Sequence, residues 1–283
     1  MKNSKSLFLD VIGWISLKES ESEVRAIATH LIESICGLTS ADMMAGKPVS
    51  ASDEAKLQEA VARINRFEPL QYILNEVYFF GRKFYVDPAV LIPRPETEQL
   101  VALIIDRADK KSRSQRIFDV ATGSGCLAIS LDLELSPLET WGTDISEAAL
   151  VVARRNAALL GSRTNLVLHD VLTGELPVNE VAIVASNPPY IAEREKETME
   201  RNVLDHEPHL ALFVPDSNPL VFYDALSANS QKVLVPGGLL AVEINERFGK
   251  EVATLMTEAG LQRVELVKDL AGKDRFVFAR KGT

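Results

Sequence analysis

Two cysteines in 283 residues, Cys36 and Cys126, stand too far apart for a disulfide framework or a paired-thiolate metal site. Their scarcity fits a reducing compartment, and the cytoplasm is the expected location. Positive charge is also in short supply: 31 Lys and Arg face 40 Asp and Glu, a net charge of −9. Nucleic-acid affinity rests on neutralising phosphates, so no stable nucleic-acid complex is expected. No uncharged run approaches the roughly 20 residues that a membrane crossing needs. The apolar stretch after Met1-Lys2-Asn3-Ser4-Lys5 is broken by Asp10 and Lys18 and lacks a small-residue cleavage site, so no signal peptide is read. His206-Glu207-Pro208-His209 is rejected as a metal site, because Pro208 disrupts the helix that would align the rings and no third ligand is evident. No metal is expected, and a monomer is the expected state. What is there is ordinary for a globular chain, 46% hydrophobic and 25% charged, with enough length for one large domain and a smaller one.

Residues 1–70 read as a small helical domain. Val24, Ile27, Leu31 and Ile35 recur at helical spacing behind a capping box of Ser20 and Glu23, and Gly37 stands where that helix should stop. A second helix is predicted from Ser52, with Leu57, Val61 and Ile64 on one face. In residues 71–92, aromatic and β-branched side chains around Gly81 predict a β-hairpin linker whose exit Pro88 and Pro93 stiffen. From 93 to 283 strands and helices alternate, which implies a parallel sheet covered on both faces. Strands are predicted at Ile117–Ala121, Thr140–Thr143, Asn165–Leu168, Val181–Ser186, Leu239–Ile244, Gln262–Lys268 and Arg275–Ala279. The last two are too close for a crossover helix and should pair antiparallel. A parallel sheet ending in such a hairpin resembles the α/β, seven-stranded Rossmann-like sheet of S-adenosylmethionine-dependent methyltransferases.

The segment from Ile117 to Gly125 is a strand running into a glycine-rich turn, with a helix from Cys126. Glycine lets a ligand approach the backbone closely. Gly123-x-Gly125-x-x-Ala128, with Asp144 lying 19 residues past Gly125, also matches the dinucleotide fingerprint, so the turn alone leaves dehydrogenase and methyltransferase open. Asp144 can accept the ribose hydroxyls of either cofactor. Asp119 can steer a cofactor ammonium or brace the loop's own amides. Asp170-Val171 follows the third strand, where an acid can accept from the adenine amine or simply sit in a solvated loop. Cys126 at a helix start reads as a packing residue rather than a reactive thiol.

Ser186-Asn187-Pro188-Pro189-Tyr190 ends the apolar run Val181-Ala182-Ile183-Val184-Ala185, a buried parallel strand of the kind that delivers chemistry at its carboxyl end. Two prolines fix φ and remove two donors, leaving a rigid rim of acceptors. The Asn187 side-chain carbonyl and the Pro188 carbonyl can accept both hydrogens of a planar NH2 group, and the Tyr190 ring can cover its flat face. The bland alternative is a strand-ending turn. An amine-shaped pocket beside the glycine turn favours a methyltransferase, since a dehydrogenase would need a second mononucleotide half and an acid or base near the hydride. Arg94-Pro95-Glu96-Thr97-Glu98 opens a helix, where capping and closure of the site are both possible roles.

Taken together, Glu68-Pro69-Leu70-Gln71-Tyr72, the segment from Leu91 to Glu98, the glycine turn, Asn187-Pro188-Pro189-Tyr190, and the segment from Asp269 to Arg275 closely resemble the HemK-type release factor glutamine methyltransferases over essentially the whole chain. The resemblance implies methylation of the side-chain amide nitrogen of the glutamine in the Gly-Gly-Gln loop of class 1 peptide chain release factors. It implies S-adenosyl-L-methionine as cofactor, leaving as S-adenosyl-L-homocysteine. The implied catalytic residues are Asn187, Pro188 and Tyr190, with Pro189 and Arg94 also on the substrate. Around the cofactor it implies Thr97, Asp119, Ala121, Thr122, Gly123, Ser124, Gly125, Asp144, Ile145, Asp170, Val171 and Asn187. Asn75 stands where the family usually has glycine, and Val171 where many members carry an aromatic residue. The alternatives are an amino methyltransferase acting on a ribosomal-protein glutamine or on a nucleic-acid base, and a cofactor-sensing module without turnover.

Overall fold

A computed structural model describes residues 2–109, 116–135 and 139–283. The chain divides into two compact units, Met1–Glu76 with Glu200–His206, and Val77–Met199 with Glu207–Thr283.

The first unit contains α1 (Ser4–Trp14), α2 (Glu21–Cys36), α3 (Ser40–Ala45), α4 (Ala51–Ile64) and α5 (Leu70–Leu74). Helix α2 begins on its capping box: Ser20 Oγ accepts from the Glu23 amide while the Glu23 carboxylate accepts from the Ser20 amide. Gly37 ends it at φ 65°. Leu31 and Ile32 meet Leu7, Val11, Leu57, Val61 and Ile64 in a core of their own. Helix α5 ends on Asn75 at φ 56°, a left-handed position that Asn tolerates in place of glycine. The unit thus runs to Glu76 rather than stopping at 70, and it includes a segment from far along the chain that no periodicity announces.

The second unit opens with the hairpin β1 (Val77–Phe79) and β2 (Arg82–Phe84), which turns on Phe80 and Gly81, both at positive φ. Helix α6 (Pro95–Arg107) has Pro95 in its first turn. Then follow β3 (Arg116–Val120), α7 (Cys126–Leu135), β4 (Glu139–Asp144), α8 (Glu147–Leu160), β5 (Asn165–Leu168), β6 (Val181–Ser186) and the short β7 (Ile191–Ala192). Helix α9 (Arg201–His206) belongs to the first unit. The chain completes the second with β8 (Phe213–Val214), α10 (Val221–Val233), β9 (Leu234–Glu243), α11 (Gly249–Glu258), β10 (Gln262–Lys268) and β11 (Asp274–Arg280).

The seven-stranded sheet has the order β10-β11-β9-β6-β3-β4-β5, parallel from β9 to β5, with β11 antiparallel to both its neighbours; its pairing with β10 is the one the sequence predicts. Period-2 alternation splits its side chains between two cores. Phe118, Val120, Val184, Leu240 and Val242 meet α10 and α11 residues such as Leu226 and Met256. Ile117, Ile183, Leu239 and Ala241 meet Leu100 and Ile104 of α6 and Leu127 of α7. Strand order reverses between β3 and β6, and a crevice opens at the carboxyl ends of strands beside such a switch. No helix among the described residues is long and apolar enough to cross a membrane.

Candidate active site

Val120 and Ser186 are partners in the β3–β6 register, and the Ser186 hydroxyl donates to the Val120 carbonyl at 2.7 Å. The two most informative stretches of sequence therefore leave the sheet side by side. A cavity within the second unit opens where they part.

The turn after β3 is held by acids. Ala121, Gly123 and Gly125 all have positive φ. A Cβ on Gly125 would sit 2.9 Å from Ile129 Cδ1 and 3.2 Å from Ala153 Cβ, so this glycine lets α7 and α8 close on the turn. A Cβ on Gly123 would meet nothing within 4 Å, and this glycine faces the cavity. Asp119 Oδ2 accepts from the Thr122 hydroxyl at 2.6 Å and the Ala128 amide at 3.2 Å. Burial pushes its carboxyl up to about 7. Asp144 accepts from the Gly123 amide and the Ser146 amide, both at 2.9 Å, and burial raises it as well. Each acid thus braces the turn and also lines the cavity, as do Ala121, Thr122, Ser124 and Ile145. Asp170 and Val171 line the far wall, with Asp170 Oδ1 accepting from the Leu172 amide at 2.9 Å. Gly125 is not among the lining residues.

The other wall comes from the loop after β6 and from the start of α6. Asn187, Pro189, Arg94 and Thr97 line it, whereas Pro188 and Tyr190 do not. Asn187 Nδ2 donates to Thr97 Oγ1 at 3.0 Å, and the Thr97 hydroxyl donates to Glu243 Oε2 at 2.7 Å. The Tyr190 hydroxyl donates to Glu243 Oε1 at 3.2 Å, so its ring is tethered at the edge of the site rather than inside the cavity. Thr97, expected beside the cofactor, is in direct contact with Asn187. Arg94 Nη2 donates to Glu207 Oε1 at 2.6 Å, and the Ile92 amide donates to Glu207 Oε2 at 3.1 Å. The guanidinium therefore spends its charge on a buried acid that fixes the segment over 92–94 along the cavity.

Sequence reasoning missed Glu207 and Glu243. Glu243 carried a usable signal, an acid at the carboxyl end of the apolar run from Leu239 to Ile244, where a buried charge demands a reason. Glu207 sat inside a sequence weighed only as a metal site. His206 Nε2 lies 3.1 Å from the Arg66 carbonyl and His209 packs edge-on to Phe213, with 5.1 Å between ring centres. The Cys126 thiol is pushed up to about 12 by burial, which leaves it unreactive at neutral pH.

Residues 97–210 match the family described as Methyltransferase small domain, and residues 15–74 match the PrmC N-terminal domain. A release factor glutamine methyltransferase of Bacteroides thetaiotaomicron is 40% identical over 92% of this chain and 93% of its own length. One from Flavobacterium psychrophilum is 35% identical over 98% of both. The fold is shared with a methyltransferase from Pyrococcus furiosus, at a TM-score of 0.52 and 16% identity over 83% of this chain and 100% of that one. It is shared too with the hMettl16 catalytic domain in complex with MAT2A 3'UTR hairpin 6, at 0.56 and 14% over 83% and 84%. A methyltransferase sheet, a matching helical domain and 35% to 40% identity over at least 92% of the chain converge: the chain belongs to the release factor glutamine methyltransferase family.

Proposed function

We propose that this protein methylates the side-chain amide nitrogen of the glutamine in the Gly-Gly-Gln loop of class 1 peptide chain release factors, using S-adenosyl-L-methionine and releasing S-adenosyl-L-homocysteine. The observation that carries the reading is Asn187: its NH2 is committed to Thr97, which turns Oδ1 away from that bond in the cavity wall. An acceptor held this way, next to a proline carbonyl, suits a substrate NH2 group.

The cavity fits the cofactor. Gly123 leaves open space where a side chain would stand, and Asp144 ends β4 where a carboxylate can accept ribose hydroxyls. Asp119 and the turn from Ala121 to Gly125 would hold the methionine portion, with Ile145, Asp170 and Val171 around the adenine. When bound, the cofactor supplies an electrophilic methyl group on a sulfonium. An amide nitrogen is a poor nucleophile because its lone pair is shared with the carbonyl, so this chain's residues act by positioning and by fixed dipoles. Asn187 Oδ1 accepts one of the NH2 hydrogens, the Pro188 carbonyl accepts the other as the family resemblance implies, and both stabilise the positive charge that grows on nitrogen. The proton leaves afterwards, and no base is needed beforehand. Tyr190 and Pro189 border the glutamine, and Arg94 holds the wall above it.

In this reading the helical unit recognises the folded release factor, and the enzyme works as a cytoplasmic monomer without stable nucleic acid. The net charge of −9 supports the last point. Labelled cofactor offered with a release factor, a ribosomal protein and RNA tests the substrate class. Label in the release factor alone is the expected result, and label in RNA or the ribosomal protein instead would replace this reading with its alternatives.

A further inference from the structure

The site holds a buried carboxylate for which the reaction as described has no use. Glu243 closes β9 and is 1% exposed, and its two oxygens accept from Thr97 and from Tyr190, neither of them a cation. A buried acid without a cation in contact is costly, so its position calls for a role.

Its chemistry fixes the direction of every hydrogen bond leading to Asn187. An ionised carboxylate can only accept. Thr97 has one hydroxyl proton, and giving it to Glu243 leaves the Thr97 oxygen as an acceptor. Asn187 must then present its NH2 to Thr97, which is the 3.0 Å contact observed, and Oδ1 faces the other way. A protonated Glu243 reverses the logic: it can donate to Thr97, which is then free to donate to Oδ1, and the Asn187 amide can turn over. Its NH2 would then meet the substrate NH2, donor against donor.

Accordingly, and resting on the function proposed above, we propose that Glu243 is the positioning residue of the amide clamp. Ionised, it sets the polarity of the Glu243–Thr97–Asn187 chain, presents Oδ1 to the glutamine, and strengthens that acceptor by polarising both intervening hydrogen bonds. Burial pushes Glu243 up to about 7, against the Thr97 and Tyr190 hydrogen bonds and the Arg275 guanidinium, while Glu96 adds to the rise. Two further titratable groups border it, and both stay neutral near pH 7. The Tyr223 hydroxyl donates to the Glu243 main-chain carbonyl at 3.2 Å and burial raises it further, while Cys126 is raised to about 12. Turnover should therefore rise with pH through about 7 and then level off.

The test uses the full-length enzyme with a release factor substrate. Glu243→Gln keeps the shape and removes the charge. Its kcat should fall by about tenfold on the alkaline plateau, less than loss of a direct partner costs. KM for the release factor and the cofactor Kd should stay within about twofold, and the rise of kcat with pH should flatten. Thr97→Val cuts the same chain one link nearer and should also abolish the pH rise. The double variant should lose no more than the worse single one, because both break one connected unit. A folded, cofactor-binding Glu243→Gln enzyme with wild-type kcat and pH profile would overturn the proposal, as would additive losses in the double variant. If Glu243→Gln does not fold, the pH profile of Thr97→Val decides in the same way. A wild-type enzyme that leaves the glutamine unmethylated would sink the proposed function instead.

Discussion

The turn after β3 and the corner formed by Asn187, Thr97, Tyr190 and Glu243 sit at the same end of one sheet, yet they are built on opposite plans. In the turn, Asp119 and Asp144 accept from main-chain amides at positions 123, 128 and 146, so the backbone itself is shaped to receive a ligand. In the corner the hydrogen bonds run from side chain to side chain and end on an acid. Thr97 and Glu243, which are in contact there, lie 146 residues apart. In the proposed reading the first plan is a binding cradle set by the shape of the backbone. The second, in the function proposed above, orients a single amide, which would make it sensitive to each member and to protonation.

That contrast is broken most easily at Asn187. Asn187→Ala should lower kcat by about a hundredfold or more while KM and cofactor affinity change little, because the lost interaction strengthens only as the nitrogen becomes cationic. Equal losses in cofactor affinity would erase the distinction between the two regions. The converse change is Asp144→Ala, which should weaken cofactor binding by about 1.5 to 3 kcal/mol, the range for hydrogen bonds to a charged group. Calorimetry finding unchanged affinity would remove Asp144 from the cradle.

A smaller effect sharpens the picture of Asp119, which burial holds at about 7. A bound ammonium favours the ionised carboxylate, so binding should lower this pKa and release a proton. Affinity should then grow as pH rises toward about 7 and level off above it. Titrations in two buffers of different ionisation enthalpy report the released proton directly, and Asp119→Asn should abolish it. Smallest of all, Asn75→Ala places a Cβ-bearing residue without a polar side chain at φ 56° and should cost about 1 kcal/mol of stability. Its cofactor affinity, measured beside the melting temperature, should not move.

The sheet could be read from the sequence because alternation and apolar runs are local: strands such as Val181–Ser186 and Gln262–Lys268 stand where predicted. The glycine turn was legible for the same reason, its glycines and Asp119 lying within seven residues of chain. Glu243 offered only the signal of an acid ending an apolar run, and Glu207 none, since their partners Thr97, Ile92 and Arg94 come near only in the fold. Segment 200–206 joining the first unit is of the same kind. The segment from Asp269 to Arg275 carries the family resemblance in sequence, and its role is visible only in the fold. Asp269 accepts from the Ala271 and Lys273 amides and from Arg275 Nε, and the Leu270 amide donates to Gln99 of α6, two residues beyond Thr97. It thus ties the last hairpin to the helix that carries Thr97.

The most direct test of the central claim is to incubate a class 1 release factor with this protein and S-adenosyl-L-methionine and to map the product by tandem mass spectrometry. The account predicts a single added methyl group on the side-chain nitrogen of the Gly-Gly-Gln glutamine, and its near disappearance with Asn187→Ala. Methyl on another residue, or an unmodified glutamine with cofactor demonstrably bound, would contradict it.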